Sequence, residues 1–307
     1  MDALQSNRRS FLKLMGSAAV IGSLTPDTLL AAAKKATTLT ILHTNDVHSR
    51  LDPFPMDGSR NAGKGGVARR ATLVQQIRKE QKNVLLFDAG DIFQGTPYFN
   101  LYKGEPEILA MNQLGYDAGT IGNHDFDGGI DNMKTQFGKA TFPFLIANYD
   151  FRNTPMEGQT QPHRIFTADG VKVGVFGLGI QPDGLIPKNL YGEMKYLDPL
   201  EIASQTAGEL KKDKKCDYVI CLSHLGYKYN DAMVSDHVLA ARTRHIDLII
   251  GGHTHTFLDA PVAVNNLDSK PTLINQVGFA GIYLGRIDLS FEQGKGHAVT
   301  DGKAVSV

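Results

Sequence analysis

An excess of charge of either sign is missing from this chain: 32 Lys and Arg balance 32 Asp and Glu over 307 residues. No net field therefore draws it to a nucleic acid duplex or a membrane surface, and an anionic ligand must be held by a local site. Cysteine is scarce as well, with only Cys216 and Cys221. They flank the strand-like stretch DYVI, where five residues span roughly 16 Å and opposite parities face opposite ways. A disulfide needs Cα atoms within about 7 Å, so both thiols are expected to be free and buried. Tandem repeats, low-complexity tracts and long charge blocks are also lacking. The remaining composition, 42% apolar and 21% charged, is that of a soluble globular protein with a substantial core.

The N-terminus stands apart. Residues 7–13 read NRRSFLK, followed by the apolar stretch LMGSAAVIGSL and the small-residue segment LLAAAKKA. The apolar stretch is too short and too rich in Gly and Ser for a stable membrane span, and its flanks are those of a secretory signal. Arg8 and Arg9 followed by Phe-Leu-Lys resemble the bacterial twin-arginine export signal, with Asn7 where Ser or Thr is usual. A basic N-terminal helix is the plainer alternative. Cleavage is expected between Ala33 and Ala36, making residues 1–36 signal and linker and the location periplasmic or secreted.

Apolar runs rich in β-branched residues recur at 38–44, 83–89, 142–148, 171–179, 217–224, 246–252, 271–278 and 283–292. Helical periodicity falls between them. Residues 67–80 place Val67, Ala71, Val74 and Ile77 on one face; 104–115 carry Pro106 near a first turn and close on glycine; 198–213 form a third amphipathic stretch. Strands alternating with helices predict an α/β fold, and runs apolar on both faces predict covered sheets.

Five segments, four of them at the ends of these runs, stop in polar groups: HTNDVHS, FDAGD, TIGNHDFDGG, CLSH and LIIGGHTH. They hold Asp46, His48, Asp91, Asn123, His124, Asp125, Asp127, His224, His253 and His255. In open α/β sheets ligands bind beyond the carboxyl ends of strands. His253 and His255, two apart, would point to the same side of an extended chain. Each piece alone has an ordinary reading as loop, turn or hydrogen-bonded core. Together they predict a metal site.

That order resembles the calcineurin-like metallophosphoesterase superfamily. ILHTNDVHS, GGVARRATL, GDIFQGTP, GNHDFD and GGHTH are most similar to its 5′-nucleotidase and UDP-sugar hydrolase branch, over roughly residues 38–290. The resemblance implies a four-layer α/β sandwich, two packed mixed β-sheets flanked by helices, with 37–307 as the catalytic domain. It implies two divalent metal ions. Asp46, His48, Asp91 and His255 would hold one; Asp91, Asn123, His224 and His253 would hold the other, with Asp91 bridging. Asp125 stands where many nucleotidases have Glu, and His255 where some members have Gln. The family's second domain, which clamps the nucleobase, has no room before Val307; a separately encoded C-terminal domain would be the partner expected to supply it.

Two metals about 3.5–4 Å apart neutralise phosphate oxygens and present a bridging hydroxide as nucleophile. Mixed nitrogen and oxygen ligation fits Zn, Mn, Fe or Co without choosing among them. His124, beside a ligand but not one by the family pattern, is the candidate to protonate the leaving oxygen. Asp127 would orient it, or else cap the helix after Gly129. Phe93, Tyr98, Phe99 and Tyr102 are expected either to line a base pocket or to belong to the core. His43, His163, His237, His245 and His297 match no motif. The expected function is 5′-nucleotidase-like hydrolysis of nucleotide phosphomonoesters. UDP-sugar or 2′,3′-cyclic-nucleotide phosphodiesterase activity, sulfate-ester thiohydrolysis, and a catalytically silent metal- or partner-binding module are the alternatives.

Overall fold

The computed structural model describes residues 36–292 and 296–307; the signal segment expected at 1–36 lies, but for its last residue, outside them. In chain order the strands are β1 (Thr37–Thr44), β2 (Val84–Asp88), β3 (Ala118–Gly119), β4 (Tyr149–Asp150), β5 (His163–Ala168), β6 (Val171–Leu178), β7 (Lys195–Tyr196), β8 (Tyr218–Ser223), β9 (Leu248–Gly251), β10 (Val262–Asn265), β11 (Pro271–Asn275), β12 (Tyr283–Glu292) and β13 (Gly296–Ser306). The helices are α1 (Val67–Glu80), α2 (Pro97–Tyr102), α3 (Glu105–Leu114), α4 (Ile130–Phe137), α5 (Lys188–Tyr191), α6 (Pro199–Gly208) and α7 (Asp236–Arg242).

One sheet runs β13-β12-β1-β2-β3, the other β10-β11-β9-β8-β6-β5, and β4 pairs with β7 in a small ribbon. Both large sheets are mixed. β1, β2 and β3 are parallel, with β12 antiparallel to β1; β6, β8, β9 and β11 are parallel, with β5 and β10 antiparallel at the edges.

Strand parity decides what each face covers. Leu39, Ile41, Phe87 and Ile287 of the first sheet pack with Val173, Val175, Ile220, Leu222 and Ile250 of the second. The intervening Leu42 and Leu86 turn outward onto Val74, Ile77, Ile108 and Met133 of the first helical layer. Phe176, Val219, Cys221 and Ile249 turn outward onto Ala203, Ala207 and Leu239 of the second. Helix, sheet, sheet and helix thus form the four layers anticipated. Cys216 and Cys221 are free and buried.

Two expectations need correction. The apolar run 142–148 is not a strand: it forms only isolated bridges, Gly119 with Phe144 and Leu145 with Gln161. Its apolar character comes from burial of Phe142, Phe144, Leu145 and Ile146 in the core. The helix expected over 198–213 is α-helical only to Gly208, with a π turn over Glu209–Asp213. Asp198 caps it, accepting from the N–H of Leu200 and Glu201.

Candidate metal centre

The site residues follow the carboxyl ends of β1, β2, β3, β8 and β9, so both sheets feed one point. The structure brings all of them together, though not as the local spacing suggested. Asp46, His48, Asp91, His253 and His255 all have positive φ, between 50° and 72°. Side chains other than glycine rarely adopt that region, and such residues concentrate where surrounding structure enforces them. The chain at 253–255 is therefore not extended, and its imidazoles part company. His255 joins Asp46 and His48; His253 joins Asp91 and His224, the donor atoms of each group lying within 4.8 Å of one another.

The groups meet at Asp91, whose Oδ2 is 3.1 Å from His224 Nε2 and 3.8 Å from His48 Nε2. Asp46 Oδ1 lies 3.4 Å from His255 Nε2 and 3.9 Å from His224 Nε2. Asn123 Oδ1 is 2.8 Å from His253 Nδ1, beside the second group. His48 Nε2 and His255 Nε2 face each other at 3.0 Å.

Glycine in the motifs is explained by crowding. A Cβ at Gly122 would collide with Asp91 Oδ1, and one at Gly252 would meet the Ala89 carbonyl and His224 Nδ1. The candidate donors lie directly against backbone, which only glycine permits.

The donor set fits divalent cations. His224 Nε2 is fully buried and, though 3.1 Å from Asp91, forms no aligned hydrogen bond; its Nδ1 is committed to the Ala89 carbonyl at 2.7 Å. That arrangement leaves one nitrogen for a ligand bond, as in metal-binding histidines. Burial opposes charge on His224, yet Asp91 and Asp46 outweigh it and raise its pKa to about 10. The field at that nitrogen favours a cation. Burial holds His253 down at about 4 and lowers His48, which keeps these imidazoles neutral, the ligating form.

His124 sits at the rim, 38% exposed, with its ring centroid 5.3 Å from that of His48. Its Nδ1 is 2.8 Å from Asp127 Oδ2. That bond raises the His124 pKa. Asp127 does not cap α4, whose N-terminal cap is Gly129 with no side-chain bond.

Two supports, Asn45 and Gln276, escaped sequence reading, and so did the role of a third, Asp125. Asp125 is fully buried and accepts from the N–H of Asp91, Ile92, Phe93 and Gly122, at 2.8–3.2 Å. Burial and the Asp91 carboxylate push its pKa up to about 7, against the pull of those donors. Asn45 donates to Asp46 Oδ2 and the Gly278 carbonyl and accepts from Val277 N–H. Gln276 holds the loop after β9 by accepting from Thr256 N–H and donating to the Gly252 carbonyl. Asp125 and Asn45 had a local signal, their places inside GNHD and HTNDVHS; Gln276 had none. The aromatic group after β2 divides: Phe93 and Phe99 stack in the core, while Tyr98 bonds Asp52 and Tyr102 is exposed.

A four-layer α/β sandwich with nitrogen and oxygen donors gathered between its sheets is the architecture of a metal-dependent phosphoesterase. The chain belongs to the calcineurin-like phosphoesterase family, whose profile matches residues 39–257. It is 34% identical over 293 residues to the 5′-nucleotidase of Bos taurus, covering 89% of this chain and 50% of that protein. It is also 34% identical over 301 residues to the trifunctional nucleotide phosphoesterase protein YfkN of Bacillus subtilis, covering 88% of this chain and 19% of that one. Among solved structures, a 5′-nucleotidase precursor from Thermus thermophilus superposes with a TM-score of 0.80 at 33% identity, over 88% of this chain and 54% of the other. The chain thus spans about half the length of the 5′-nucleotidases it matches. Among the described residues no helix is long and apolar enough to cross a membrane.

Proposed function

We propose that residues 37–307 form the catalytic domain of an exported, 5′-nucleotidase-like phosphomonoesterase with two divalent metals. Asp46, His48, Asp91 and His255 hold one, and Asp91, Asn123, His224 and His253 the other. The observation that carries this reading is the pair of donor clusters meeting at Asp91, with a histidine that belongs to neither standing beside them. Bound metals supply charge neutralisation for the phosphate and lower the pKa of water.

The chain's own groups do the rest. Asp91, with two oxygens, serves both clusters, and Asp125 fixes its loop through four N–H bonds. Asp127 holds His124 through Nδ1, leaving Nε2 free to give a proton to the leaving oxygen. The hydrogen bond that raises the His124 pKa keeps that proton available near neutral pH. A silent binding module has no need of this dyad.

Initial rates on AMP, UDP-glucose and 2′,3′-cyclic AMP, with metal content measured on the same preparation, test the reading. AMP is expected to be fastest. Faster cleavage of either diester moves the chain to phosphodiesterases, and two bound metals with no turnover make it a binding module. Residues 1–36 are read as a twin-arginine signal, so changing Arg8 and Arg9 to Lys should retain a fused reporter in the cytoplasm. The longer 5′-nucleotidase relatives support a nucleotidase C-terminal domain as partner, and adding one should lower KM more than it raises kcat.

A further inference from the structure

Two opposite charges are buried between α1, α3 and the end of β2, and no role assigned above uses them. Glu107 is 2% exposed and Arg70 4%. Charged side chains are almost never buried so deeply without a partner. Yet Glu107 Oε1 and Oε2 both lack a hydrogen-bond partner, and so does Arg70 Nε, so the two groups do not meet directly. A small internal cavity lies against both, walled also by Asp88, Tyr116, Ile92 and Met111. It leaves about 10 Å³ in which the centre of a water-sized molecule can lie, about the least that one water requires.

Both charges reach segments that carry candidate metal donors. Ser49 follows His48, is fully buried and has φ 53°. Its N–H bonds the Ile92 carbonyl at 2.8 Å and its carbonyl accepts from Thr96 Oγ1 at 2.8 Å. Only its hydroxyl is left without a partner. Burial pushes the Glu107 carboxyl up while the Ser49 hydroxyl pulls it down, which sets that hydroxyl beside it. On the other side, a Cβ at Gly281 would collide with Arg70 Nη1, so glycine lets the guanidinium lie on backbone. The preceding Ala280 N–H bonds the Asp46 carbonyl at 2.7 Å.

We propose that one water occupies this cavity, donating to Glu107 and accepting from Arg70 Nε–H, and that the chain Ser49–Glu107–water–Arg70 positions the Asp46, His48 and His255 donors. The wall chooses the occupant. A cation would face the guanidinium and an anion the carboxylate, whereas a neutral dipole can satisfy both. Unmet buried hydrogen-bonding groups are costly, which favours the bridge. The carboxylate has two oxygens, one for the Ser49 hydroxyl and one for the water. Glu107 and Arg70 touch neither substrate nor metal and act only through the segments they hold. The positioning role rests on the reading of those three donors as ligands; the water does not.

The test pairs crystallography with metal titration. Removing one charge alone would strand the other, so the variant is the double one, Glu107→Leu with Arg70→Met, which replaces both with apolar groups of similar volume and should fold. A high-resolution structure of the wild-type chain should show one water within hydrogen-bond distance of Glu107 and Arg70, gone in the double variant. Titration of the metal-free chains with Mn²⁺ should then show one of two sites weakened about 10–100-fold, the usual cost of losing a group that orients ligands, and the other unchanged. Anomalous scattering should place the lost occupancy at Asp46, His48 and His255. A cavity without water, or a metal loss that is equal at both sites, absent, or confined to His224 and His253, overturns the proposal. Fewer than two metals on the wild-type chain would sink the ligand reading and the positioning role with it, while the electron density would still decide the water.

Discussion

Asp91 and His224 meet in the space between the two sheets, Oδ2 to Nε2 at 3.1 Å, with neither side chain exposed by more than 2%. Burial pushes the Asp91 carboxyl up, but His224 and His48 outweigh it and hold the group well below the usual carboxylate range. The same oxygen lies 3.8 Å from His48 of the other cluster. Asp91→Ala should therefore strip both proposed metal sites at once, so metal content and activity fall together. Two metals retained with near-normal turnover would remove Asp91 from the bridge.

His124 separates chemistry from metal holding. His124→Ala should lose roughly 10²–10⁴-fold in kcat, the usual contribution of an acid–base group, with both metals still bound. Asp127→Asn should act in the same direction and more weakly, since it disturbs only the 2.8 Å bond to Nδ1. Full activity of His124→Ala on an ester with a poor leaving group would exclude it from proton transfer.

Asp125 is expected to matter for architecture rather than for chemistry. Removing its carboxylate leaves four N–H groups, at Asp91, Ile92, Phe93 and Gly122, without their acceptor. Each unsatisfied buried donor costs about 1–3 kcal/mol, so Asp125→Ala should lose several kcal/mol and bind metal more weakly. Chemical denaturation and metal titration read the two effects, and wild-type stability in this variant would contradict the assignment.

His43 predicts acid lability. It is fully buried, with Nε2 3.1 Å from Asn275 Nδ2 and Nδ1 unpartnered, and burial lowers its pKa to about 3. Unfolded, it titrates near 6.5. The folded chain therefore binds fewer protons than the unfolded one between those values. Stability is full above pH 6.5 and falls as the pH drops toward 3, by up to about 1.4 kcal/mol per unit. His43→Gln should lose about 2 kcal/mol less than wild type between pH 6.5 and 5, measured by urea unfolding in chelator. Equal losses would place the acid sensitivity elsewhere.

The strands with long buried stretches were legible because burial leaves apolar runs, and β1, β2, β6, β8, β9, β11 and β12 overlap those read from the chain. β5, β10 and β13 were not: their burial is partial and, in β13, mostly exposed, so no run marks them. Residues 142–148 misled for the converse reason, being apolar from core burial without pairing along a neighbour.

At the site, sequence alone determined the donor types and their order, because each proposed ligand sits next to a glycine or at the end of a hydrophobic run, and those signals are local. Tertiary structure decided the partnerships. Positive φ at His253 and His255 sends neighbouring imidazoles to different clusters, and Asp46 finds His255 from 209 positions away along the chain, 255 − 46, at 3.4 Å. The supports from Asn45, Asp125 and Gln276 depend likewise on which loops the two sheets bring to one edge. Periodicity reports only which face of its own element a residue occupies; the packing of one sheet on the other sets what that face meets.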